Sequence, residues 1–296
     1  MLIAKDGWLD ERVTKAIGAP TFPTMPVTLP PIIGNWFDAR GWRPRRHQME
    51  MLAAARQGDH ALLVAPTGAG KTLAGFLPTL ADLIDHPTEG LHTLYVSPLK
   101  ALAVDVRRNL LTPIEEMGLP IRVETRTGDT PSDRKARQRA RPPQILLTTP
   151  ESLSLLLSYP DAQIMFAHLR TIIVDEVHAF ATQKRGDLLN LSMARLQTIN
   201  PDLRRVALSA TVADVDAYRA WLAPDGDIGA VTPVLGEAGA DPHVAILIPE
   251  GRVPWSGHSG RYAAAQVMAE IQSRGTTLIF CNTRGLAELI FQDLWS

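Results

Sequence analysis

The sequence contains a single cysteine, Cys281. One thiol excludes an intramolecular disulfide framework and a cysteine-built zinc site, and it suits a reducing cytosol. Cys281 lies in the apolar run TTLIFCN, which predicts a buried core thiol rather than a reactive one. Long apolar runs are lacking too. No stretch of about 18 apolar residues occurs, so no transmembrane helix is expected. The first nineteen residues scatter Lys5, Asp6, Asp10, Glu11 and Arg12 without a continuous apolar core, which excludes a secretory signal. Cytoplasm is the expected location. A net charge of −1 supplies no global basic field, so any contact with nucleic acid must come from local patches.

What is present is a soluble composition, 45% hydrophobic and 21% charged, in a chain long enough for about two ordinary domains. Pro20, Pro23, Pro26, Pro30 and Pro31 predict a leader ending in an extended connector over 1–31. Beyond it, short apolar runs alternate with amphipathic ones. Strands are expected at 60–65, 92–97, 121–125, 144–149, 171–176 and 204–210. Helices are expected at 71–85, kinked at Pro78, and at 99–118, 151–158, 185–199 and 212–222. This alternation predicts an α/β fold, a mostly parallel sheet covered on both faces, over 32–236. After Trp221 a Gly-, Pro- and Asp-rich stretch reads as a last short strand and then a linker at 237–242. A second unit over 243–296 opens with strands at 243–250 and 276–282 around a helix at 261–273. Its last helix starts at Thr283 and runs to Ser296, so the unit is read as the truncated start of a domain.

The densest chemistry is in APTGAGKT, Ala65 to Thr72, between an apolar strand and an amphipathic helix. That is the context of a phosphate-binding P-loop. Thr67, Gly68, Ala69 and Gly70 let the backbone curl with its N–H groups inward, at the positive end of a helix. Lys71 would reach the β- and γ-phosphates of ATP, and the Thr72 hydroxyl would ligate Mg²⁺. Ala65 stands where the usual pattern has its first glycine. A second strand, TIIVDEVH, delivers Asp175 and Glu176 at its C-terminal end, where ligands bind in open α/β sheets. Asp175 would hold the metal, through water, and Glu176 would act as general base toward the attacking water. His178, taken alone, reads as a structural histidine.

The order of motifs then becomes specific: RPRRHQ (43–48), the P-loop, SPLKALAVD (97–105), TRTGDT (125–130), TTPESL (148–153), DEVH (175–178), SAT (209–211) and FCNTRGLAE (280–288). The series closely resembles superfamily 2 DEXH-box helicases of the Lhr-like group, and its wording is most similar to the ligase-associated DEXH-box DNA helicases of bacteria. The resemblance implies a RecA-like P-loop domain followed by the start of a second one. It implies that Gln48 reads adenine, by an amide complementary to the N6 and N7 edge. Trp36, Phe37 and Trp42 are candidates either for stacking on the base or for the core. Ser209, Ala210 and Thr211, with His178, match the motif that couples nucleotide state to nucleic-acid binding. Pro98, Leu99 and Lys100, then Thr127, Gly128 and Asp129, then Thr149, Pro150 and Glu151, match elements that grip one strand, joined by Thr283 and Arg284. Arg134, Lys135, Arg137, Arg139 and Arg141 form the densest basic run, either an electrostatic attractor or a solvated helix face. The family's arginine finger belongs to later motifs that are not among these residues. ATP hydrolysis at least about a hundredfold below that of an intact relative is therefore expected. By resemblance, the expected activity is that of an ATP-dependent helicase or translocase moving 3′ to 5′ on single-stranded or partly duplex DNA in repair. RNA is a possible substrate, and a DNA ligase and a nuclease are natural partners.

Overall fold

A computed structural model describes residues 27–98, 106, 110–181, 183–212, 214–237, 244–247 and 260–295. Residues 1–26 of the leader, residues 238–242 of the linker, Leu99, Lys100 and half of the helix expected at 99–118 lie outside the described residues. The chain forms two compact units, Met1–Gly239 and Ala240–Ser296.

In the first unit, helix α1 (Pro31–Ala39) and helix α2 (Arg46–Gln57) precede strand β1 (His60–Val64). Pro31 occupies the first helical position of α1, where its missing N–H costs nothing, so the proline run ends in a helix and not in extended chain. Helix α3 (Lys71–Asp85) follows and continues through Pro78. Strands β2 (Thr93–Val96) and β3 (Val123–Arg126) come next, then α4 (Ser132–Ala140), β4 (Ile145–Thr148), α5 (Pro150–Leu157) and the short α6 (Ala162–Met165). Strand β5 (Thr171–Val174), α7 (Lys184–Ile199), β6 (Arg204–Ser209), α8 (Val215–Leu222) and β7 (Val231–Leu235) complete it. The six strands expected by range in this unit fall at the expected places, their ends within two residues; β3 alone runs on, by one residue, past its expected end.

The seven strands lie in the order β3-β4-β2-β5-β6-β1-β7, and every pairing is parallel. Apolar residues on successive strand positions face opposite ways, and both faces are covered. Leu63, Tyr95, Ile173 and Leu208 pack with α1, α2 and α3, whereas Leu62, Leu94, Ile172 and Ala207 pack with α5, α7 and α8. This double burial is why the strand sequences read as continuous hydrophobic runs. It also sends every strand's C-terminal end to one edge of the sheet. Pro233, which cannot donate to a ladder, sits in β7 at the sheet margin.

The second unit contains helices α9 (Ala264–Gln272) and α10 (Arg284–Trp295), joined by a pair of hydrogen bonds of 2.5 and 2.6 Å from Arg261 to Asp293. The strands expected at 243–250 and 276–282 do not form among the described residues. Residues 244–247 and 276–282 carry no ladder, because a strand needs a partner and the described residues of this unit offer none. Cys281 is consequently half-exposed, not the buried thiol expected, and its neighbour Phe280 is 91% exposed. Among the described residues no helix is long and apolar enough to cross a membrane.

Candidate nucleotide site and adjoining loops

The P-loop leaves β1 at the C-terminal edge of the sheet and turns into α3 at Lys71. Gly68 and Gly70 have φ of 80° and 78°, a left-handed backbone that an L side chain rarely adopts. Two groups from α2 brace the curl. His47 is buried, and its Nε2 lies 2.9 Å from the Ala69 carbonyl oxygen. Gln48 accepts a hydrogen bond from the Arg45 N–H through Oε1 (2.9 Å), which turns its amide nitrogen toward Gly70. A Cβ on Gly70 would lie only 3.2 Å from that nitrogen. Thr67 and Gly68 are exposed, and Thr72 sits half-buried at the start of α3.

Across the same edge, β5 ends at Val174 and hands over Asp175 and Glu176. Asp175 is almost fully buried. Its Oδ1 accepts from the Glu176 N–H at 2.9 Å, and its Oδ2 accepts from the phenol of Tyr95 on the neighbouring strand. Burial, opposed by the Tyr95 hydrogen bond, raises the Asp175 carboxyl above its usual range. Burial beside this acid also pushes the Tyr95 phenol well up. Glu176 has φ of 50°, the one positive value at a non-glycine among the described residues, and its Oε2 is buried without a hydrogen-bond partner. Lys71 donates to the Pro66 carbonyl oxygen at 3.2 Å. Burial lowers its pKa, while the charges of Glu176 and Asp175 pull it back up, so the ammonium and both acids share one pocket of field. The arrangement assembles a cation, a backbone nest and two acids from segments about a hundred residues apart, as a nucleotide triphosphate requires.

Strand β6 lies between β1 and β5, so Ser209 emerges between the P-loop and the acids. Its hydroxyl lies 2.9 Å from His178 Nδ1 and donates to the Thr211 carbonyl oxygen at 2.7 Å. His178 Nδ1 is also 3.4 Å from Glu176 Oε2. His178, Ser209 and Thr211 thus form one chain of contacts with Glu176, and Ala210 lies between the last two. Within the first unit, Pro98, Thr127–Asp129 and Thr149–Glu151 follow the C-terminal ends of β2, β3 and β4 at the same edge. Thr127 is buried and its N–H donates to the Thr130 hydroxyl at 2.9 Å, which leaves Gly128 and Asp129 exposed at the tip. Thr149 caps α5 by accepting from the Ser152 N–H, with Pro150 at the first helical position. Thr283 caps α10 in the second unit by accepting from the Leu286 N–H at 3.2 Å, and Arg284 pairs with Glu288.

Several residues fall elsewhere. Phe37 is core, and Trp36 donates to Glu116 at 2.7 Å while packing edge-on against Trp42. The basic run is largely paired along the surface: Arg134 and Arg137 pair with Glu124, Lys135 donates to the Gly128 carbonyl oxygen, and Arg139 stacks over Tyr159. Sequence reading missed His47, Tyr95 and Arg185. The first two sit beside quoted motifs, but only the fold shows what they touch. Arg185 reaches residues 34 and 87 positions away.

Comparison with known proteins places these features in a class. The model of the DEAD/DEAH box helicase family matches residues 45–218, from the start of α2 into α8. The chain belongs to that family. Within it, the chain is similar to Lhr helicases. It is 38% identical over 274 residues to the "Lhr helicase/probable uracil glycosylase" of Mycolicibacterium smegmatis, covering 88% of this chain and 18% of that protein. It is 35% identical to the "ATP-dependent helicase Lhr-Core protein 2" of Thermococcus barophilus, covering 88% and 33%. Among solved structures it resembles the Mycobacterium smegmatis helicase Lhr bound to ssDNA and AMP-PNP, with a TM-score of 0.76 and 35% identity over 90% of this chain and 35% of that one. The chain therefore spans about a fifth to a third of the length of these relatives.

Proposed function

We propose that this chain is the ATP-binding front of a nucleic-acid motor that translocates on DNA, with ATP seated between the P-loop and the acidic strand. The observation that carries this reading is the convergence of the P-loop, which follows β1, and of Asp175 and Glu176, which follow β5, at one edge of a parallel sheet. The relative solved with ssDNA and AMP-PNP supports it. Residues 68–72 cradle the phosphates through backbone N–H groups and the Lys71 ammonium, and Gln48 faces the adenine. The donor set at Thr72 and Asp175, one hydroxyl and one buried carboxylate, suits Mg²⁺, which completes its shell with phosphate and water. When bound, the ion would neutralise charge on the phosphates. Glu176, whose Oε2 has no hydrogen-bond partner and lies 3.4 Å from His178 Nδ1, is the acceptor that can take a proton from the attacking water. Ser209 and His178 carry the state of this pocket toward the strand-gripping loops.

By family resemblance the direction is 3′ to 5′ and the setting is DNA repair, with a ligase and a nuclease as partners. The direct test is Lys71→Ala. ATPase stimulated by single-stranded DNA is expected to fall to background, and a rate near wild type would defeat the assignment. Running the same assay with RNA of equal length separates a DNA motor from an RNA remodeller.

A further inference from the structure

Arg185, in the first turn of α7, reaches across the C-terminal edge to two separate loops. Its Nε donates to Glu151 Oε1 at 2.6 Å, and its Nη2 donates to Glu151 Oε2 at 3.2 Å and to the Pro98 carbonyl oxygen at 3.0 Å. Its guanidinium also sits 5.8 Å from the ring centre of Phe180, which is fully buried. The base of this arm is fixed by Gly186. A Cβ there would come within 2.2 Å of the Phe180 carbonyl oxygen, so only glycine lets α7 start this close to the segment that follows the acids. One side chain therefore links the end of β2, the start of α5 and the segment that follows the acidic motif.

We infer that Arg185 is a positioning residue for the nucleic-acid strand, tying the Thr149–Glu151 turn to the Pro98 carbonyl so that the N-terminus of α5 is held facing a phosphate. The inference rests on the nucleic-acid reading proposed above. It also gives Glu151 a task that suits its charge: an acid repels phosphate, but here it orients a guanidinium. A planar fork with fixed donor directions can serve two acceptors at once, whereas a lysine ammonium is a point charge and cannot hold the same geometry.

The rival explanation is that Arg185 touches phosphate itself, and salt dependence separates the two. A direct contact contributes about one released counterion, so its loss lowers the slope of log K against log salt by about 1. Loss of a positioning residue weakens binding at every salt concentration and leaves the slope unchanged. The experiment titrates a fluorescein-labelled oligo-dT into the wild-type chain and into Arg185→Gln, Arg185→Lys, Glu151→Gln and the double Arg185→Gln/Glu151→Gln variant. Affinity is read by anisotropy at several salt concentrations, with circular dichroism as the folding control. Each single variant is expected to weaken binding roughly 2- to 30-fold, the span of indirect couplings of this kind. The double variant is expected to be no weaker than the worse single, all slopes should match wild type, and Arg185→Lys should fail to restore affinity. If Arg185→Gln does not fold, Glu151→Gln and Arg185→Lys decide between the explanations. A reduced slope, additive losses, full rescue by lysine, or tighter binding by Glu151→Gln each overturns the inference. A wild-type chain that does not bind the oligonucleotide removes the nucleic-acid reading itself and this inference with it.

Discussion

Asp175 and Glu176 are neighbours in sequence with opposite surroundings. Both oxygens of Asp175 accept hydrogen bonds, whereas Oε2 of Glu176 has no hydrogen-bond donor and its backbone is held left-handed. The satisfied acid is suited to hold still and the unsatisfied one to accept a proton. Glu176→Gln keeps the shape of the side chain and removes its basicity. ATP binding is expected to persist while kcat falls by about 10²–10⁴-fold, measured as single-turnover hydrolysis. Tyr95→Phe removes one donor from a buried carboxylate and keeps the ring that stacks on Phe76. Leaving that acceptor short of a partner costs about 1–3 kcal/mol, to be read from urea denaturation of the two proteins. No change in midpoint would show that the phenol does not support the acid.

At the scale of elements, the P-loop strand shows why Ala65 replaces a glycine without harm. The chain leaving β7 passes so close that a Cβ on Gly236 would lie 2.4 Å from the Ala65 Cβ, so the space has moved from one residue to the other. Gly236→Ala is expected to destabilise the first unit by about 1–3 kcal/mol through overpacking. Ala65→Gly in the same chain should recover part of that loss, and a double-mutant cycle by thermal melting measures it. The strands and the P-loop helix could be read from sequence because each is a continuous apolar or amphipathic run whose period survives burial. Helix α2 could not: it is polar overall and is held by the Gln48 side chain, which accepts from the Arg45 N–H, and by contacts of His47 and Met51. Helix α1 was hidden because the prolines that precede it are as compatible with an extended connector as with a helix start. The strands expected in the second unit failed for a different reason, since a strand exists only with its neighbour. Likewise, the phenol of Tyr95 is silent within an apolar run until register places it beside Asp175.

For the molecule as a whole, the parallel sheet separates two chemical edges. The residues proposed to bind nucleotide gather at the C-terminal edge, whereas Asp82, near the end of α3, accepts from His92 at 2.7 Å and contacts His86 at 3.0 Å. These contacts, that with His92 foremost, hold the Asp82 carboxyl down at about 2. A depressed carboxyl stabilises the fold above its unfolded pKa of about 3.9, and that contribution is lost as the pH falls through the folded value. Asp82→Asn should therefore lower the Tm at neutral pH, and the two melting curves should converge as the pH approaches about 2. An equal gap at every pH would show that the histidine contacts do not act through charge. The strand order has a broader consequence. Because β6 is wedged between the P-loop and the strand that carries the acids, a change in the spacing of those two segments would be felt at Ser209. In the proposed motor, the partition between the two halves of the chamber would then also be the lever.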